Sequence, residues 1–257
     1  VLAELVAGAL EDASRRQESA PQAEVERRAL AAAPALGALS FLAPAERIKV
    51  IAEVKRASPS RGDLAVIADP AGLAARYAQG GASAISVLTE GRRFKGSLAD
   101  LEAVRAVVDV PVLRKDFIAT EYQVLEARAS GADLVLLIVA ALDQETLARL
   151  HTFILELGMT PLVETHDATE ISRAADLGAR LVGVNARNLS TFELDRDLFG
   201  RLADRIPEGT IRVAESAVKT PADVAHYRSA GADVVLVGEA LVTGGDPVTA
   251  IEEFTVS

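Results

Sequence analysis

The chain contains no cysteine, which excludes disulfides and thiolate chemistry and makes a reducing, cytoplasmic setting the expectation. Tryptophan is absent too, and aromatic residues make up only 4% of the 257 residues, a poor match to an aromatic-rich β-sandwich. Three histidines are too few for a His-rich metal centre, and neither a metal nor another cofactor is expected. Basic residues are in deficit: 27 Lys and Arg stand against 37 Asp and Glu, giving a net charge of −10. Proteins that track nucleic-acid phosphates concentrate Lys and Arg, so a nucleic-acid partner is not expected. Any anionic ligand must be held by a local basic site, against the field of the whole protein. No apolar run reaches the roughly 18 to 20 residues that a membrane span requires, so no membrane partner is expected either. The apolar start at Val1–Val6 is broken by Glu4, and Glu11 and Asp12 follow; Leu2, Leu5, Val6, Ala9 and Leu10 keep helical spacing. The expected molecule is a monomer or a weak oligomer.

What is present points to one fold. The length is close to the roughly 250 residues of a bare eight-fold barrel, and half of the residues are hydrophobic. Two helical stretches, near 1–18 and 22–34, are followed by eight short apolar runs, each leading into an amphipathic segment. The runs are Val50–Val54, Ala84–Leu88, Val112–Leu113, Leu134–Val139, Thr160–Val163, Leu181–Val184, Ile211–Ala214 and Val234–Val237. Nearly continuous apolar strands alternating with helices indicate a parallel sheet covered on both faces. Gly81-Ala82, Gly131-Ala132, Gly178-Ala179 and Gly231-Ala232 precede every second run, so the repeat unit is two βα modules. Each glycine sits where a helix closes in the left-handed conformation. Asp69-Pro70, Thr220-Pro221 and Asp246-Pro247 read as helix starts, and Asp167 with Glu170 as a capping box. The structural competitor is an open doubly wound sheet, which usually carries a glycine-rich turn after its first strand. Here Lys55-Arg56-Ala57-Ser58-Pro59-Ser60 takes that place. The predicted fold is α/β, a (β/α)8 TIM barrel in one domain over 1–257, with 1–45 as an N-terminal helical extension.

Active sites of such barrels lie at the C-terminal ends of the strands. Alternation puts Glu53 and Lys55 on one face at the end of the first run, and Lys115 and Phe117 on one face at the end of the third. The fifth run ends at Glu164, the sixth at Asn185 and Arg187, and the seventh at Glu215-Ser216. Taken singly, each has an ordinary structural explanation: a rim ion pair for Glu53 and Lys55, a surface lysine for Lys115, a helix cap for Glu164. Together they crowd charge over a barrel core, and burying unpaired charge costs several kcal/mol. The loops Ser216-Ala217 and Gly238-Glu239, after the last two strands, fit a phosphate site. Glu239 suits a phosphate dianion only if its side chain points away.

These residues carry a resemblance. Ile51-Ala52-Glu53-Val54-Lys55-Arg56-Ala57-Ser58-Pro59-Ser60 is similar to the first-strand signature of indole-3-glycerol phosphate synthases. The similarity continues through Ser86–Glu90, Phe94–Ser97, Leu113–Phe117, Leu162–Glu164, Gly183–Leu189, Ala214–Ser216 and Val237–Glu239. One departure is Ala217, where the family usually has glycine. The resemblance implies cyclisation of 1-(2-carboxyphenylamino)-1-deoxyribulose 5-phosphate, with loss of CO2 and water, to indole-3-glycerol phosphate in tryptophan biosynthesis.

By that resemblance Lys115 is the general acid at the ketone oxygen, made more acidic by Lys55 and Arg187 nearby. Glu164 moves a proton at the developing hydroxyl, and Glu53 is a second base or orients the lysines. Lys55 holds the substrate carboxylate, while Asn185 and Arg187 orient Glu53 and the sugar hydroxyls. Phe94, Phe117 and Leu136 line the aromatic pocket, with Leu189 and Glu215 as further substrate contacts. Ser58 and Pro59 belong to a mobile first loop that closes over the pocket. Ser216 has both a catalytic and a phosphate-binding role, the latter shared with Ala217, Gly238 and Glu239. Three other readings stay open from the residues alone: a Schiff-base aldolase using Lys115 or Lys55, a sugar-phosphate isomerase, and a phosphate-binding scaffold without activity.

Overall fold

The structure is a computed structural model that describes residues 1–256. Helices α1 (Leu2–Ser19) and α2 (Gln22–Ala31) match the two expected helical stretches, and a short α3 (Ala38–Leu42) follows. The barrel strands are β1 (Lys49–Val54), β4 (Ala84–Leu88), β5 (Val112–Lys115), β6 (Leu134–Ile138), β7 (Thr160–Thr165), β8 (Leu181–Asn185), β9 (Ile211–Glu215) and β10 (Val234–Val237). All pairings among them are parallel, and β1 bonds to both β10 and β4. The sheet is therefore closed, which removes the open doubly wound alternative. Every expected apolar run is one of these strands.

Helices α4 (Pro70–Gln79), α5 (Leu98–Arg105), α6 (Glu121–Ala129), α7 (Gln144–Glu156), α8 (Ala168–Asp176), α9 (Leu198–Leu202) and α10 (Pro221–Ser229) connect successive strands. Two more, α11 (Glu239–Thr243) and α12 (Pro247–Thr255), follow β10. The loop after β1 folds into a small antiparallel hairpin of β2 (Ala57–Ser58) and β3 (Gly62–Asp63), which the sequence reading leaves as loop. Asp69, Thr220 and Asp246 each accept a first-turn backbone N–H, contacts worth about 1 kcal/mol apiece. Asp167 does the same, but its expected capping box is not closed. The Glu170 carboxylate turns instead to the backbone N–H of His166, 2.7 Å away. Gly81, Gly131, Gly178 and Gly231 all have positive φ, as helix closure requires.

Side-chain alternation explains how one strand serves both core and site. Val50, Ala52 and Val54 of β1 face outward and join the layer beneath the helices, as do Val163 of β7 and Val235 of β10. Ile51, Leu113, Leu162, Leu181 and Val213 face inward and fill the barrel. Each such side chain contributes about 1.5–3 kcal/mol by leaving water. The next inward position above Ile51 is Glu53; above Leu113 it is Lys115, above Leu162 Glu164, and above Val213 Glu215. The inward file thus changes from apolar to charged at one level of the barrel.

The N-terminal helices are fastened to this body. Arg16 of α1 donates to Glu126 of α6 at 2.9 Å, and Glu126 also accepts from the wholly buried Arg114 at 3.3 Å. Arg114 reaches back to Thr89 at 3.1 Å and to the Gln123 carbonyl at 2.6 Å. Leu5 and Ala9 of α1, with Ala38 and Leu42 of α3, join the interior cluster.

Candidate active site

One cavity at the C-terminal mouth is lined by every residue singled out from the sequence, from Glu53 and Lys55 to Gly238 and Glu239. At its floor Lys115 Nζ stands among three carboxyl groups: Glu53 at 3.5 Å, Glu215 at 3.6 Å and Glu164 at 4.0 Å. All three are only 1% exposed. Glu53 also holds Lys55 Nζ at 2.6 Å, so its carboxylate bridges the two lysines. Ser86, its neighbour in the ladder, donates to it at 3.4 Å.

This arrangement reverses the expected electrostatics of Lys115. Burial alone would lower its pKa, but the ionised Glu53 and Glu164 outweigh burial and raise it above the ordinary lysine value. Lys115 is held as an ammonium ion, the state of an acid and not of an imine-forming nucleophile. Burial opposes ionisation of Glu53, yet Lys55 and Lys115 keep its pKa below the usual carboxylate range. For Glu164, burial is again overcome, here by His166 and Lys115, and the pKa falls to about 2. Glu215 behaves oppositely. Its own burial and the ionised Glu164 raise its pKa well above normal, so it is the carboxyl that keeps its proton.

The remaining walls separate by chemistry. Phe94 and Phe117 face the cavity with ring centroids 6.2 Å apart, and Leu136 and Leu189 complete an apolar side. Phe94 is placed by Glu90, whose carboxylate accepts the backbone N–H groups of Arg92, Arg93 and Phe94 at 2.7–2.9 Å. Asn185 accepts from the Ser216 hydroxyl at 2.7 Å and from the Arg187 backbone at 3.0 Å. Arg187 donates to the Phe192 carbonyl at 3.2 Å. The expectation that Asn185 and Arg187 orient Glu53 is therefore corrected: Lys55, Lys115 and Ser86 do so. Burial lowers the Arg187 pKa, with Glu239 opposing that shift.

At the opposite wall, Ser216 and Ala217 both adopt left-handed backbone, with φ of 69° and 58°. Gly238 leaves room for the Glu53–Lys55 pair, since a Cβ there would lie 2.5 Å from Glu53 Oε1 and 3.0 Å from Lys55 Nζ and the pair would have to shift. The Glu239 carboxylate is paired with Arg61 of the β2–β3 hairpin at 3.0 Å. Across the hairpin, Asp63 pairs with Lys95 at 2.6 Å, so the loop carrying Ser58 and Pro59 is tied down on both sides.

Several contributors were missed from sequence, Lys219 in the cavity lining among them. Leu5 of α1 lines the cavity, although its spacing marks it only as a buried helix position. Glu90 sits within a quoted motif without an assigned role. His166 is two residues beyond Glu164 and contacts it at 3.4 Å, a relation that alternation could have supplied.

A buried acid–base cluster at the C-terminal mouth of a closed parallel barrel, facing an aromatic wall, defines a (β/α)8-barrel enzyme. Residues 2–254 match the family described as Indole-3-glycerol phosphate synthase. The chain belongs to the indole-3-glycerol phosphate synthase family. A relative of that name from Leifsonia xyli subsp. xyli is 72% identical over 99% of this chain and 97% of its own length. Indole-3-glycerol phosphate synthase 1 of Streptomyces coelicolor is 56% identical over 100% of this chain and 95% of its own. Among solved structures, 3-hexulose-6-phosphate synthase from Salmonella typhimurium superposes with a TM-score of 0.64 at 16% identity. It covers 81% of this chain and 97% of its own, a likeness of fold alone.

Proposed function

We propose that the mouth cluster performs the reaction after which the family is named. The chain is a carboxy-lyase of tryptophan biosynthesis that yields indole-3-glycerol phosphate, an assignment carried by family membership and by relatives of that name. Its substrate is a phosphorylated small molecule, which we take to be 1-(2-carboxyphenylamino)-1-deoxyribulose 5-phosphate. The observation that carries the site assignment is Lys115 held protonated among Glu53, Glu164 and Glu215.

In this reading Lys115 protonates the ketone oxygen as the ring closes. Lys55 draws the anthranilate carboxylate toward the floor, while Phe94, Phe117, Leu136 and Leu189 take the ring. Arg187 and Asn185 meet the sugar hydroxyls, and Ser58 and Pro59 cover the substrate. Glu53 fixes both lysines and accepts the proton lost on aromatisation, and Glu164 serves the departing hydroxyl. Glu215, kept neutral, offers a donor without adding a further negative charge to the floor. The phosphate is assigned to Ser216, Ala217, Gly238 and the backbone of Glu239, whose own charge Arg61 neutralises. General acid–base catalysis supplies about 10²–10⁴-fold, and holding the two reacting carbons together supplies much of the remainder.

The test is to supply this substrate and follow indole fluorescence. Wild-type protein forms product, and Lys115→Ala, still folded, loses at least about 10²-fold of kcat. Unchanged turnover in that variant overturns the assignment of Lys115.

A further inference from the structure

The proposed reaction takes up a proton. The substrate carboxylate departs as neutral CO2 and a hydroxyl departs as water, so one proton enters from solvent in each turnover. Glu164, assigned above to the departing hydroxyl, is ionised at neutral pH and has no proton of its own to give.

Its neighbour has one. His166 follows the end of β7, with Nε2 3.4 Å from Glu164 Oε1 in an ionic contact outside hydrogen-bond geometry. Both atoms are buried and have no hydrogen-bond partner among the described residues. The opposite ring nitrogen, Nδ1, lies 3.1 Å from Glu170 Oε2, the same oxygen that accepts the His166 backbone N–H at 2.7 Å. This double contact, made where the capping box of α8 was expected to close, fixes the ring against Glu164. His166 and Asn185 also line a second cavity, with Asn188, Glu193 and Asp195. The imidazole thus touches a carboxylate of the active site and borders a separate cavity.

We propose that His166 is the proton inlet of the active site, delivering a solvent proton from the second cavity to Glu164. The inference rests on the assignment of Glu164 to the departing hydroxyl. As that hydroxyl leaves, Glu164 passes it a proton while the His166 Nε2–H bond breaks and the carboxyl O–H bond forms. The C–O bond electrons leave with the oxygen as water, Glu164 returns to its carboxylate, and the neutral ring is recharged from the second cavity. The groups facing the ring fit this use. They are Glu164 and Glu170 in contact, Glu193 and Asp195 across the second cavity, and Lys115 and Glu215 beyond Glu164. Burial disfavours the imidazolium, but Glu164 and Glu170 outweigh it and raise the pKa to about 10, so the ring is charged at neutral pH.

The experiment compares His166→Asn and Glu164→Gln with wild type, with and without added imidazole at neutral pH. Asparagine keeps a polar contact but carries no transferable proton. His166→Asn is expected to lower kcat by at least about tenfold, with KM within about twofold, and added imidazole restores kcat in proportion to its concentration. A kcat within about twofold of wild type, or a loss indifferent to imidazole in a folded variant, overturns the proposal. Glu164→Gln is expected to lose turnover whatever the imidazole concentration; full activity there overturns the reading of Glu164 itself. Should His166→Asn fail to fold, Glu170→Gln carries the test. Removing that carboxylate moves the alkaline fall of kcat to lower pH, and an unmoved profile overturns the proposal.

Discussion

Gly183 of β8 provides the space that the Glu215 carboxylate occupies: a Cβ on Gly183 would lie 2.0 Å from Glu215 Oε1. The two residues sit on adjacent strands, where Gly183 pairs with Val213 and Asn185 with Glu215. A missing side chain on one strand thereby sets the position of a buried carboxyl on the next.

Gly183→Ala is accordingly expected to displace Glu215 and disturb Lys115, with which it is paired at 3.6 Å. A misplacement of about 1 Å in a catalytic cluster can cost about 10²-fold, and a loss of that order in kcat is the expected result. Steady-state kinetics at saturating substrate, alongside a thermal melt showing the variant folded, checks it.

Ala217 holds φ +58°, in the region where a Cβ is costly. Left-handed backbone costs an L-residue roughly 1–2 kcal/mol, while glycine adds about 0.4–1 kcal/mol of unfolded-chain entropy. Ala217→Gly is therefore expected to stabilise the protein by about 0.5–1 kcal/mol, read as a higher urea midpoint at unchanged slope. A lower midpoint would mean that the methyl group contributes packing that outweighs the strain.

His166 also makes stability depend on pH. Its folded-state pKa, about 10, lies above the ordinary histidine value, so the folded protein binds this proton more tightly than the unfolded chain. The stabilisation is complete below about pH 6.5 and is lost as pH rises through about 10. Unfolding midpoints measured across that window should fall more steeply for wild type than for His166→Gln. Parallel curves would show that the ring does not carry the extra proton.

The fold was legible because two-residue alternation, helix-closing glycines and capping pairs all point to the same register. The β2–β3 hairpin escaped because two-residue strands carry no period, and Ser58-Pro59-Ser60-Arg61-Gly62 reads only as a turn. In the mouth, Glu53, Lys115 and Glu164 were legible because each is the first polar inward position above a buried aliphatic residue. What sequence could not give was distance across strands. Lys55 and Arg187 looked like the neighbours that would set the acidity of Lys115, yet closure of the barrel puts three carboxyl groups around it, two of them ionised. His166 was passed over because the apolar run stops at Val163, although the ladder of β7 continues to Thr165.

The inward file that turns from Ile51 to Glu53, from Leu113 to Lys115 and from Leu162 to Glu164 sets a conflict between folding and function. Buried ionised groups are commonly less favourable than well-packed apolar residues of similar volume, by about 1–4 kcal/mol for a pair or triad. Continuing the aliphatic column to the rim would give a tighter-folding but inert barrel. Stability alone therefore gives no reason for charge at this level of the barrel; the proposed turnover does.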